Sequence, residues 1–202
     1  MIRIFIESKK PETSEYNFLS TYIHTKLGIP PHSYSIVCVN GKDNLHNIKN
    51  KLIENTLEGG KNLIIFDADT PSNNGGFTKR QTELLSQIKE LNCDAELFLF
   101  PNNQDDGMFE NLLENLTLPE RYKNFFDCYS DYETCLGDDY RHPDLKGKVF
   151  TYISSMKSLS NTKWKRLGNG EWQFDNPNYW NLDAAYLQPL KDFLYNHFKE
   201  SK

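Results

Sequence analysis

The chain is poor in the features that most directly fix a protein's class. Its four cysteines, Cys38, Cys93, Cys128 and Cys135, include no C-x-x-C pair. Without such a pair, buried or free thiols in a reducing compartment are expected. No apolar run approaches the roughly 20 residues a bilayer-spanning helix needs. The opening run, Ile2–Ile6, is strand-like and lacks a signal-peptide pattern, so a cytoplasmic protein without a membrane partner is expected. There is no basic surplus: 23 Lys and Arg stand against 28 Asp and Glu, a net charge of −5. This argues against a constitutive high-affinity nucleic-acid binder, but not against an enzyme that grips nucleic acid weakly or through metal ions. The five histidines share no ligand spacing, and no P-loop, dinucleotide fingerprint, Ser-His-Asp or Cys-His arrangement is present.

What is present suits one domain of ordinary size, since 202 residues with 38% hydrophobic content can bury a single core. Four short apolar runs, Ile2–Ile6, 35–39, 63–66 and 97–100, recur at the spacing of βαβ units. Helical stripes separate them. Tyr16, Leu19, Tyr22, Ile23 and Leu27 follow the capping candidates Thr13 and Ser14 and stop at Gly28. Leu45, Ile48 and Leu52 form a second stripe, and Leu84, Leu85, Ile88 and Leu91 a third. The alternation predicts an α/β fold, a Rossmannoid parallel sheet of about four strands flanked by helices. Beyond the fourth run, Phe109, Leu112, Leu113 and Leu116 predict a short helix, and two more stripes run through Val149–Met156 and through Leu187, Leu190 and Leu194. Segments 164–167 and 171–174, either side of Gly168-Asn169-Gly170, read as a hairpin. A core of about 1–117 with an extension of 118–202 packed on it is the expected organisation.

In an open parallel sheet, ligands bind beyond the carboxyl ends of the strands. The residues there are Glu7 after the first run, Asn40, Gly41 and Lys42 after the second, Asp67 and Asp69 after the third, and Asn102, Asn103, Asp105 and Asp106 after the fourth. Carboxylates and amides in one region are hard oxygen ligands that suit Mg²⁺ or Mn²⁺. Repelling acids such as Glu7, Asp67 and Asp69 also require a counter-ion. The polar segment from Asn102 to Glu110 is expected beside Asp67 and Asp69, with Gly107 allowing the following helix to aim its free N–H groups at an anion.

Two resemblances follow from these residues. Phe66-Asp67-Ala68-Asp69-Thr70 is similar to the D-x-D-x-T of haloacid-dehalogenase-like phosphatases, with Gly137-Asp138-Asp139 imitating their later acidic segment; this implies Asp67 as a phosphoryl-accepting nucleophile. More of the chain resembles the Toprim domain of topoisomerases, primases and OLD-type nucleases. Ile4-Phe5-Ile6-Glu7 and Phe66-Asp67-Ala68-Asp69 match its Glu after strand one and D-x-D after strand three. The run from Phe100 to Leu113, with Asn102-Asn103-Gln104-Asp105-Asp106-Gly107 at its centre, resembles a Toprim-related group of bacterial proteins, domain-of-unknown-function family 3226. So do Lys146-Gly147-Lys148-Val149-Phe150 and Trp180-Asn181-Leu182-Asp183. The chain departs from the Toprim pattern at Ser8, where Gly is usual, and has no acid shortly after Glu7.

The Toprim resemblance implies a Mg²⁺- or Mn²⁺-dependent phosphoryl-transfer enzyme, a nuclease above all, or a degenerate domain that binds a nucleotide or a protein partner. It implies Glu7, Asp67 and Asp69 as metal ligands and catalytic groups, and Asp106 and Glu110 as ligands of a second metal. Lys148 would neutralise transition-state charge, while Asn40, Gly41, Asn102, Asn103 and Lys146 would meet substrate. The stretch Lys163-Trp164-Lys165-Arg166 is a separate candidate for stacking bases or following a phosphate backbone.

Overall fold

The computed structural model describes residues 1–200, with the side chain of Glu200 excepted. Four strands, β1 (Ile2–Ile6), β2 (Tyr34–Cys38), β3 (Lys61–Asp67) and β4 (Glu96–Phe100), form an all-parallel sheet in the order β2-β1-β3-β4. Ile4 pairs with Ile36 on one side and Leu63 on the other, which makes β1 and β3 the central strands. Both are buried on both faces, and this explains their continuous apolar sequence.

Helix α1 (Ser14–Thr25) connects β1 to β2, α2 (Lys49–Leu57) connects β2 to β3, and α3 (Phe77–Glu90) connects β3 to β4. The first connection runs outward in one direction and the other two in the opposite one. Right-handed crossovers then require α1 on one face and α2 and α3 on the other. The core divides accordingly. Phe5, Ile64, Phe66 and Leu99 pack with Leu52 of α2 and with Leu84 and Ile88 of α3. Ile4, Ile6, Leu63, Ile65 and Phe98 pack with Phe18 and Leu19 of α1 on the opposite face. The chain is thus a Rossmann-like, doubly wound α/β structure, and its winding reverses between β1 and β3.

The face covered by α1 is completed by the rest of the chain. Helix α4 (Phe109–Leu116) places Leu112, Leu113 and Leu116 there, fully buried. Helices α6 (Leu145–Ser154) and α8 (Gln188–Glu200) add Val149, Tyr152 and Ile153, and Leu190 and Leu194. Phe193 reaches Phe98 at 5.3 Å between ring centroids, and Phe198 reaches Tyr34 at 5.8 Å. Helix α5 (Lys123–Cys135), absent from the sequence reading, packs Phe125 edge-on and Phe126 tilted against Tyr152. Among the described residues no helix is long and apolar enough to cross a membrane.

The expected hairpin at 164–174 is corrected. Residues Asn161–Arg166 form helix α7, which Ser160 caps by accepting the Lys163 N–H at 3.3 Å. Trp172 donates its indole N–H to the Leu167 carbonyl, so 171–174 folds back on the helix end as an aromatic plug and pairs with no strand. Gly170 serves close approach here: a Cβ on it would stand 2.2 Å from the Ser14 nitrogen.

Candidate functional site

The carboxyl edge of the sheet is tied together by its own backbone. Gly41 donates its N–H to the Glu7 carbonyl at 2.8 Å, and Asn40 donates to that of Ser8 at 3.1 Å. Ala68 donates to the Phe100 carbonyl, and Gly107 to that of Asp69 at 2.8 Å. Each loop beyond a strand is therefore anchored to its neighbour. These anchors bring Glu7 and Asp67 together where the winding reverses: the Glu7 carboxylate accepts the Asp67 N–H at 3.1 Å. Asp67 in turn accepts the Phe109 N–H, the first of α4, at 2.8 Å. The helix end expected to face an external anion thus receives an internal one.

A cavity of about 420 Å³ opens at this point, lined by Glu7, Ser8, Thr13, Glu15, Asp67 and Glu110 among others, with Lys9 and Lys146 also on its wall. Ser8 and Thr13 share a hydrogen bond of 2.9 Å, and Ser8 also donates to Glu15 at 2.5 Å. Burial pushes the Glu7 carboxyl up from 4.5 to about 7, against the lowering effect of the Asp67 N–H, while the charge of Asp69 adds to the rise. Burial likewise raises Glu15 to about 7, with Glu7 and Glu110 contributing repulsion. Asp67 lies well above the usual carboxylate range, through burial first and then the charges of Glu7, Glu15 and Glu110. Glu7, Glu15, Asp67, Glu110 and Asp144 therefore face one space, and burial and mutual repulsion raise the first three. Of the two lysines on the wall, Lys146 is 66% exposed and lies 3.6 Å from Glu110.

The other expected site residues lie elsewhere or have other partners. Asp69, in the left-handed backbone region, turns to a pair of cations: its Oδ2 accepts from Lys42 Nζ and from Arg80 Nη2, each at 2.8 Å. Asp106 caps α3, its Oδ1 accepting the Phe77 N–H at 2.6 Å. The Asn102 side-chain oxygen accepts the Gln104 and Asp105 N–H groups, and that of Asn103 accepts the Leu99 N–H. Those two amides build the loop after β4. Asn40 and Gly41, both at positive φ, shape the turn after β2. Lys148 pairs with Glu114 at 2.7 Å. Thr70 shares a hydrogen bond with Ser72, and neither Asp138 nor Asp139 lines the cavity.

Two participants were missed by sequence reasoning. Glu15 sits in the first turn of α1, where an acid reads as complementing the helix dipole. Arg80 carried a visible signal, since it continues the Leu84 and Ile88 stripe one turn earlier and is correspondingly 95% buried, with 5% exposure. The donor set of Glu7, Glu15, Asp67 and Glu110 fits a hard divalent cation in chemistry, being all oxygen and negatively charged. It is not a finished coordination shell: among the described residues no three His, Cys, Asp or Glu side chains are grouped closely enough to hold a metal ion. Compared with known proteins, the chain matches no family model, no curated protein and no solved structure.

Proposed function

We propose that this chain is a Toprim-like, Mg²⁺- or Mn²⁺-dependent enzyme that hydrolyses phosphodiester bonds, with nucleic acid as the substrate class. The observation that carries the reading is the crowding of Glu7, Glu15, Asp67 and Glu110 around one cavity where the sheet reverses its winding. Carboxylates so placed need either protons or a cation, and a strand-end crevice is where open α/β sheets bind ligands. Glu7 and Asp67 would hold the ion. When bound, such an ion would act as a Lewis acid and offset negative charge on a substrate phosphate. Glu15 and Glu110, the next carboxylates around the cavity, are available to orient the attacking water and take its proton. Lys146, exposed on the cavity wall, is a cation available to meet a substrate phosphate.

A second reading, a domain of the same ancestry that binds a nucleotide or protein partner without turnover, is favoured by one observation. The Asp69 carboxylate already has two cationic partners, Lys42 and Arg80. Cleavage of a labelled oligonucleotide in Mn²⁺, abolished by EDTA and by Glu7→Gln, is the expected result. Mn²⁺ binding in calorimetry without cleavage selects the second reading, and absence of both refutes the two together.

A further inference from the structure

Positive charge is segregated in this chain. Residues 145–170 hold six Lys and Arg and no Asp or Glu, whereas the remainder holds 17 Lys and Arg against 28 Asp and Glu. The structure folds this segment into α6, α7 and the turn between them. Lys146, Phe150 and Ser154 lie four residues apart on α6, so they follow one stripe over ~12 Å of helix. The stripe starts at the acidic cavity, which Lys146 lines, and passes Phe150, which is exposed. At its far end Trp164 of α7 donates its indole N–H to the Ser154 carbonyl at 3.1 Å.

That bond fixes the ring in place, yet Trp164 remains 54% exposed, in contrast to the buried Trp172 and Trp180. An anchored, exposed indole is a surface ready for stacking, with its ordering already accomplished in the free protein. Lys163 and Lys165 flank it, and Lys157 lies in the turn before it. All three are exposed and lack an ion-pair partner among the described residues.

We propose that this ridge binds single-stranded nucleic acid and leads it to the carboxylate cavity. Complementarity of charge selects a polyanion from a chain that is otherwise acidic, and the held indole selects unpaired bases, whose faces a duplex keeps stacked. The inference names the substrate form for the reading above and rests on that reading for its destination. The binding step itself needs no metal.

The test is fluorescence anisotropy of the full chain with a labelled oligothymidylate in EDTA at low salt. Expected are binding, quenching of the Trp164 emission, a loss of about 5- to 160-fold for Trp164→Ala and partial retention for Trp164→Phe. Lys163→Gln with Lys165→Gln should flatten the slope of log affinity against log salt by about 1.4, at ~0.7 per phosphate contact on a single strand. No binding, unchanged affinity in Trp164→Ala, or equal affinity for a duplex of the same length overturns the proposal. So does binding to phosphatidylserine vesicles in place of the oligonucleotide, which would make the ridge a membrane-surface element. Because EDTA removes the metal site from the measurement, Mn²⁺-dependent cleavage can fail while this binding persists, and the reverse.

Discussion

Glu7→Gln in metal-free buffer is predicted to stabilise the protein at pH 8 and to leave it unchanged at pH 4. The Glu7 carboxyl is raised from 4.5 to about 7 in the folded chain, mainly by burial. A raised acid binds its proton more tightly folded than unfolded, so its contribution to stability is present below pH 4.5 and is lost as the pH climbs toward 7. At pH 8 the unfolded chain carries a charge whose burial costs the folded one about 3 kcal/mol, taking 1.36 kcal/mol per pKa unit. Glutamine keeps the side-chain oxygen that accepts the Asp67 N–H, so the hydrogen bond survives while the charge is lost. Removing that charge also relieves Glu15 and Asp67, which Glu7 raises. Urea denaturation in EDTA should therefore show the variant's midpoint higher by roughly 1 M at pH 8, for a urea dependence of ~2–3 kcal/mol/M, and coincident at pH 4. Mn²⁺ should narrow the difference at pH 8 by stabilising the native protein more than the variant. Identical pH dependence in both proteins would refute the reasoning, because it would mean Glu7 is charged at no penalty.

Further outcomes follow from the same geometry. Asp67→Asn should weaken Mn²⁺ binding by at least tenfold in calorimetry and Asp138→Asn should leave it unchanged, since only Asp67 lines the cavity. Asp106→Ala should lower stability by about 1 kcal/mol, seen as a fall of ~2–4 °C in Tm both with and without Mn²⁺, because Asp106 caps α3. Gly170→Ala should cost roughly 1–3 kcal/mol in denaturant titration, since its Cβ would collide with the start of α1 at a φ of 73°.

The sheet was readable because its central strands are buried on both faces and so appear as unbroken apolar runs. Helix α1 was readable because Thr13 caps it as the sequence pattern implied, accepting the Tyr16 N–H. Aromatic side chains hid α5 and α7. Phe125, Phe126 and Tyr129 are weak helix formers, and Lys163-Trp164-Lys165-Arg166 beside a glycine-rich turn imitates a strand. At the site, the strand-end rule located Glu7 and Asp67 and gave no information about which way Asp69 turns. That direction depends on a positive φ and on Arg80, 11 residues further along the chain. Glu15 reaches the cavity through Ser8 and Thr13, a contact no linear spacing specifies.

The closure of one sheet face by α8 bears on how the chain is made. Tyr34 and Phe98 belong to strands that leave the ribosome well before their partners Phe198 and Phe193. About 90 residues separate Phe100 from Leu190, which at a translation rate of 5–20 residues per second is a delay of roughly 5–20 s. Throughout that interval the α2 and α3 side of the sheet can assemble while the other side is covered only in part, so the nascent protein passes through a stage with an open apolar face. A stalled or truncated product ending before α8 would keep that face open and be directed to chaperones or proteases.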